Sequence, residues 1–278
     1  MRIPASSKTM EACMSVVFDR AVSFYDRTRG LPRRAEDWLA QAIDQQTSLQ
    51  PGSSVLEIGV GTGRIALPLI RAQHYRYIGI DLSRTMMEAL RSKAQDMPIT
   101  LIQGDVAHLP FTAGTFDAVV AVHVFHLVSD WQLAMDEVKR VLRPGGILLH
   151  GRNHTADQSP LETLRKHLHE SAQATEPDPQ PQTGFLEQKQ IRPALERHFG
   201  SPRQVATPYW HVTRTPGEVI DSFADRCWSS TWALSDAALK HAVAEGRRWA
   251  SERFGSLDRP LHDEQRFVWD VYSKSITR

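Results

Sequence analysis

The sequence predicts a doubly wound α/β fold with a mostly parallel sheet. Three observations carry this. Short, near-continuous apolar runs alternate with segments of helical periodicity through positions 51–154, the first run ends in a string of glycines, and acids close the next two. Strands that are apolar throughout are covered on both faces, as in parallel sheets. Strand–helix alternation sustained over about a hundred residues is how such sheets are wound.

Taken in order, Val16 to Arg27 reads as a helix rich in charge and aromatics. Ser54 to Gly59 is the first buried strand, Gly61 and Gly63 follow at once, and Ile65 to Ile70 resumes helical spacing. Tyr77 to Asp81 is the second strand, after which Ser83 is placed to N-cap a helix from Arg84 to Lys93. Ile99 to Gln103 is the third, running into Gly104-Asp105, and Phe116 to His123 the fourth. Trp131 to Leu142 is helical, with Leu133, Met135, Val138, Val141 and Leu142 apolar; Arg143-Pro144-Gly145-Gly146 stops it, and Ile147 to His150 is the fifth strand. Residues 155–200 read as helical, interrupted by a Pro/Gln-rich loop from Glu176 to Gln182. Val205 to Thr213 and Arg266 to Tyr272 read as further strands, separated by helices near Pro216 to Cys227 and Asp236 to Phe254.

With 41% hydrophobic residues in 278, the chain can bury a sizeable core. Its 33 basic and 32 acidic residues give a net charge of +1, which offers no electrostatic footprint for nucleic acid or an anionic membrane. Two cysteines, Cys13 and Cys227, are too few for a disulfide framework or a zinc site, so free thiols in a reducing compartment are expected and no metal is read. The first 17 residues carry Arg2, Lys8 and Glu11 and no signal-like apolar block, and the longest apolar run, Ala118 to Val124, is far short of the roughly 20 residues that span a bilayer. The expectation is a soluble, cytoplasmic protein.

Chemistry concentrates at the strand ends. Glu57-x-Gly59-x-Gly61-x-Gly63 lies between a strand and a helix, where glycines permit a tight turn and let a ligand approach backbone N–H groups. Asp81 closes the second strand, where an acid accepts hydrogen bonds from ribose hydroxyls, and Asp105 follows the third. Any one of these glycines could serve a plain turn, but four matches in order on the right elements point to a nucleotide-like ligand at the carboxyl ends of the strands. The dinucleotide pattern G-x-G-x-x-G is not met, because its third glycine would fall on Arg64. The acid at position 57 suits a ligand carrying an ammonium and a sulfonium instead.

Val55 to Gly63 resembles motif I of the class I S-adenosylmethionine-dependent methyltransferases, and Tyr77 to Ser83 resembles their second motif. Gly104-Asp105 with Leu109-Pro110-Phe111 and Phe116 to Val120 is similar to the third, and Arg140 to Gly146 to the segment before the fifth strand. The resemblance is to the methyltransferase type 11 or UbiE-like group and covers residues 16–154. It implies a seven-stranded Rossmann-like sheet with a helical lid and cap: one domain over 1–278, with the lid in 1–50, the cofactor-binding core in 51–154, a helical cap in 155–204, and 205–278 completing the sheet. It implies S-adenosylmethionine as cofactor and S-adenosylhomocysteine as product. Glu57 would lie near the methionine amino group, and Gly59, Gly61 and Gly63 would line methionine and ribose. Asp81 would hold the ribose diol, Leu82 and Met86 would lie beside the adenine, and Asp105 and Val106 would address its ring. Val122 and His123 would lie near the reactive methyl, with Tyr25 as the lid contact.

Methyl transfer from a sulfonium requires alignment and exclusion of water. An acceptor hydroxyl or acidic carbon calls for a general base, and His123 and His126, just past the fourth strand, are the candidates; His150 and His154 are further histidines near that edge. Tyr209, Trp210, Phe223, Trp228 and Trp232 suggest an aromatic acceptor wall. Val122 to His126 replaces the D/N/S-P-P-Y/F element of nucleic-acid amino-methyltransferases, and neither cysteine suits cytosine C5 or arsenite chemistry. A small-molecule acceptor methylated at O, N or C is therefore expected. The alternatives are a cofactor-binding regulator without catalysis and an NAD-dependent oxidoreductase. The acceptor and the oligomeric state are not legible.

Overall fold

The computed structural model describes residues 15–156, 158–175 and 188–275. The Pro/Gln-rich stretch and Cys13 lie outside these residues. A 3₁₀ turn, Asp19–Ala21, leads into α1 (Val22–Arg29) and α2 (Arg33–Gln46). The wound core follows as β1 (Ser54–Ile58), α3 (Ala66–Ala72), β2 (Arg76–Asp81), α4 (Arg84–Ala94), β3 (Ile99–Gln103), β4 (Phe116–Val122), α5 (Trp131–Val141) and β5 (Leu142–Thr155). Then come α6 (Pro160–Thr175), α7 (Gln188–Phe199), β6 (Arg203–Ala206), β7 (Trp210–Arg214), α8 (Pro216–Ala224), α9 (Asp236–Phe254) and β8 (Leu261–Ser273).

The strands lie in the order β3-β2-β1-β4-β5-β8-β6, with β7 also on β8. β1 to β5 are mutually parallel and β8 runs antiparallel to β5, so the fold is the mostly parallel α/β sheet that the alternation predicts. The chain moves from β1 outward to β3, then returns to place β4 on the other side of β1. Open α/β sheets bind ligands at such a reversal, outside the carboxyl ends of the strands.

Three boundaries differ from the sequence reading. The strand read over Val205 to Thr213 is two strands, because Pro208 has no N–H to donate and Thr207 instead exchanges bonds with Phe267. Both pieces pair with β8, sharing one edge, so the sheet is seven places wide but has eight strands. β5 starts at Leu142 and runs to Thr155 because β8 pairs with it along Ile147–Thr155; Arg143 and Gly145 enter the sheet through Asp117 and Lys274 rather than forming a free turn. β4 ends at Val122, since His123 adopts a φ of 53°.

Strand side chains alternate between two cores. Val55, Ala118 and Val120 face Leu39, Ile43, Leu69 and Leu90 of α2, α3 and α4, while Leu56, Ile58 and Val119 face Met135, Val138 and Leu195 of α5 and α7. α7, which falls in the stretch read as cap, thus packs beneath the sheet. A third core joins α6, α8 and α9 through Leu164, Leu168, Val219, Ile220, Phe223 and Ala242. α8 is held by a full capping box, Thr215 with Glu218. Among the described residues, no helix is long and apolar enough to cross a membrane.

Candidate active site

At the end of β1 the backbone turns through left-handed values at Gly59 (φ 67°), Gly61 (φ 52°) and Gly63 (φ 82°). At Gly59 a Cβ would also meet Val124 Cγ2 at 2.8 Å, so both conformation and close approach require glycine. Asp81 closes β2 beneath this turn. Its Oδ2 accepts from Gly61 N at 2.8 Å and its Oδ1 from Ser83 N at 2.8 Å. Burial raises the Asp81 pKa against the pull of these backbone donors. Ser83 caps α4 by accepting from Met86 N at 3.1 Å.

The N-terminal segment is fastened over this floor by two acids. Asp19 accepts from Ser83 Oγ at 2.5 Å and Thr85 Oγ1 at 2.9 Å; Asp26 accepts from Thr62 Oγ1 at 2.5 Å and Lys93 Nζ at 2.6 Å. Between them Phe18 and Tyr25 stand edge to face at 6.2 Å.

Floor, lid and α6 border a half-open cavity of about 980 Å³, at the upper end of the roughly 300–1,000 Å³ of small-molecule sites. One end is lined by Gly59, Gly61, Asp81, Leu82, Met86 and Val106, with Tyr25 above and Val122 and His123 behind. The far end is formed by Glu162, Arg165, Lys166 and His169 of α6 and by Trp228, Ser229 and Ser230. Arg29 and Arg64 also line it.

Three residues expected at the cofactor do not reach this wall. Glu57 is buried and accepts from Tyr77 Oη at 2.7 Å; its carboxyl is pushed up to about 8 by burial, against that bond and the Arg64 charge. Gly63 faces Leu90 and Leu67, and Asp105 turns into its own loop to accept from Ala107 N at 2.9 Å. The aromatic wall also contracts. Trp210 and Phe223 are core residues, Tyr209 is exposed under Arg266, and Trp232 stacks on Phe18, which leaves Trp228 at the cavity.

Both candidate histidines line the cavity. Burial holds the His123 imidazole well below the usual range, reinforced by Arg64, His126 and Arg29 and opposed by a hydrogen bond with Asn153. His126 is lowered to about 4 by burial and by the charges of Arg29 and His150, and its Nδ1 is buried without a hydrogen-bond partner. Both rings are therefore neutral at pH 7 and have room for a proton. His150 lies instead against buried Asp270, at 4.0 Å.

The cavity's basic residues escaped the sequence reading. Arg64 donates from Nη1 to Arg29 O at 3.0 Å, while its Nη2 is buried and unpartnered. On α6, positions 162, 165, 166 and 169 share one face, and Leu161, Leu164, Leu168 and Ala172 share the other. That spacing was available in the sequence; which face meets a cavity was not.

The residues at the floor fit S-adenosylmethionine: a turn too tight for a Cβ, an acid with lone pairs toward the cavity, apolar Leu82, Met86 and Val106 for a flat ring, and an orphaned Arg64 donor for a carboxylate. Residues 56–150 match the family model described as a methyltransferase domain. Over 202 residues the chain is 31% identical to an uncharacterized 37.1 kDa protein in transposon TN4556 of Streptomyces fradiae, covering 68% of this chain and 56% of that one. It is 32% identical to a demethylmenaquinone methyltransferase of Symbiobacterium thermophilum, covering 51% and 60% respectively. The chain thus spans little more than half the length of these relatives. The YcgJ protein of Bacillus subtilis superposes with a TM-score of 0.54 at 19% identity, over 86% of this chain and 98% of that one. The Haemonchus contortus phosphoethanolamine N-methyltransferase 2, in complex with phosphomonomethylethanolamine and S-adenosylhomocysteine, superposes with a TM-score of 0.50 at 18% identity, over 91% and 57%. Sheet order, motif order and family model agree: the chain belongs to the class I S-adenosylmethionine-dependent methyltransferases.

Proposed function

We propose that the protein transfers a methyl group from S-adenosylmethionine to a small-molecule acceptor at oxygen, nitrogen or carbon, releasing S-adenosylhomocysteine. The observation that carries this is one half-open cavity with a nucleotide-type floor at one end and an independent polar wall at the other. S-adenosylmethionine bound at the floor supplies an electrophilic methyl on a sulfonium. Asp81 accepts from the ribose hydroxyls, Leu82, Met86 and Val106 hold the adenine, and Arg64 Nη2 meets the methionine carboxylate. Glu57 acts from below, as a buried, proton-keeping partner of Tyr77 at the foot of the turn. The lid, fastened by Asp19 and Asp26, keeps water out and holds the acceptor in line. The bound sulfonium would supply its methyl to the acceptor and leave as the neutral thioether, and His126 Nδ1 would take the acceptor's proton. A base with a pKa of about 4 is weak at neutral pH, so this step depends on the acceptor's own charge to strengthen it. A small acceptor, rather than a nucleic acid, is favoured by the small-molecule size of the cavity and by the balanced net charge.

Calorimetry with S-adenosylhomocysteine tests the donor half. Wild type binds, and Asp81→Ala loses affinity by about 10- to 100-fold, the worth of hydrogen bonds to a charged group. A folded wild type that binds neither S-adenosylmethionine nor its product overturns the reading. Product mass after incubation with an acceptor panel tests transfer itself. Once an acceptor is in hand, His126→Gln is expected to lower kcat by about 100-fold with KM little changed; unaltered turnover removes the base.

A further inference from the structure

We propose that the acceptor is an anion, and that its carboxylate or phosphate is held at the α6 end of the cavity by Arg165. The inference deepens the methyl-transfer reading and rests on it. It starts from the direction in which α6 presents its charge. Glu162, Arg165, Lys166 and His169 line the cavity, while the opposite face is buried in the third core. A charged stripe on a helix ordinarily faces solvent; here it also borders a half-open cavity, with Arg165 its most sheltered charge.

The charges in the cavity do not balance. Arg29, Arg64, Arg165 and Lys166 line it against two acids, Asp81 and Glu162. Asp81 sits at the far end and is occupied by Gly61 and Ser83. Glu162 reaches Arg165 Nη1 at 3.4 Å but its side chain is 60% exposed, and Lys166 leans toward Glu170 at 3.7 Å. The Nε of Arg165 is buried without a partner. The Arg29 guanidinium makes no ion pair or side-chain hydrogen bond among the described residues, and burial and the neighbouring charges of Arg64 and Arg165 disfavour its charged form. Cations gathered at one site repel one another, exposed ion pairs such as those of Arg165 and Lys166 offset this only weakly, and native sites hold such groups where a ligand completes them. The methyl donor does not complete this set. It carries a sulfonium and an ammonium against one carboxylate, so it brings further positive charge. The balancing anion must come with the acceptor.

The geometry suits an oxyanion. The Arg165 guanidinium lies over the Trp228 ring at 5.3 Å, with its Nε unpartnered and only the exposed Glu162 carboxylate, at 3.4 Å, on Nη1. A planar fork presented in this way matches a carboxylate or phosphate. Ser230 Oγ, 3.3 Å from His169 Nε2, and Ser229 add hydroxyls beside it. Trp228, Leu127 and Val128 supply apolar surface for the body of the molecule.

The test is calorimetric titration of protein saturated with S-adenosylhomocysteine, using benzoate, phenyl phosphate and the neutral benzamide. At least one anion is expected to bind about tenfold or more tightly than benzamide, the worth of one charged hydrogen-bonded contact. Benzoate ahead of phenyl phosphate identifies a carboxylate acceptor; the reverse order identifies a phosphate. The preference disappears in Arg165→Gln and is reduced in Arg165→Lys, which keeps the charge but loses the fork, while both variants bind S-adenosylhomocysteine like wild type. Equal binding of the probes, binding of none, or a preference that survives in Arg165→Gln overturns the proposal. Loss of S-adenosylhomocysteine affinity in Arg165→Gln assigns the guanidinium to the donor's carboxylate and also overturns it. Failure of the folded wild type to bind S-adenosylhomocysteine strikes the methyl-transfer reading instead.

Discussion

Glu57 sits with its carboxyl inside the protein, bonded to Tyr77 and held up to about 8 by burial. Between pH 4.5, its unfolded value, and about 8 the folded protein keeps a proton that the unfolded chain releases. Rising pH in this window therefore favours unfolding, by at most about 1.4 kcal/mol per pH unit for one proton. Glu57→Gln, which remains neutral throughout, is expected to flatten stability against pH over that range in denaturant titrations, and an unchanged slope would show that Glu57 is ionised in the fold. In the sequence Glu57 stood out for its place before the glycines, and its expected position at the methionine amino group followed from resemblance. The structure buries it against Tyr77, and it does not line the cavity. Most of the residues named from the sequence line the cavity, and those dictated most locally are Gly59, Gly61 and Asp81, by backbone conformation or strand-end position. Arg29 and Arg64 were not legible, because an arginine looks the same in a sequence whether its guanidinium meets water, a carbonyl or a cavity.

Among the elements, α6 is the one with two tasks. Its apolar face packs on α9, and the contact is close because α9 carries Gly246: a Cβ there would stand 2.3 Å from Leu168 Cδ2. Gly246→Ala gains about 0.5–1 kcal/mol of helix propensity. It also overpacks a buried leucine at about 1–3 kcal/mol, so the second effect wins and a net loss of about 1 kcal/mol is expected by chemical denaturation. Adding Leu168→Val should recover much of it, while S-adenosylhomocysteine affinity stays at the wild-type value in both. A stabilised Gly246→Ala protein would mean that the helices separate freely. The helical period of α6 is plain in the sequence. Its partner is not, since the contact depends on one glycine some eighty positions later. Likewise α7 has the same amphipathic signature as α6 and yet packs with α5 in a different core, a placement that its own period does not specify.

Across the whole molecule, the wound half from β1 to β5 was readable because each strand is an apolar run bounded by turn residues and its neighbours are near in sequence. The return through β8 was harder to read. β8 lies between β5 and an edge shared by β6 and β7, and its pairing with β5 brings residues more than a hundred positions apart into register, as His150 and Asp270 are. Patterning cannot specify such partners; only the closure of the sheet does. Two of the three cores hold the sheet and the donor floor, and the third, built by α6, α8 and α9, holds the acceptor wall. This separation has a consequence for how such a protein changes over generations. Variation at Glu162, Arg165, Lys166, His169 and Trp228 through Ser230 can explore new acceptors while the donor floor is inherited intact, so a combinatorial library confined to those positions would sample selectivity without sacrificing the donor.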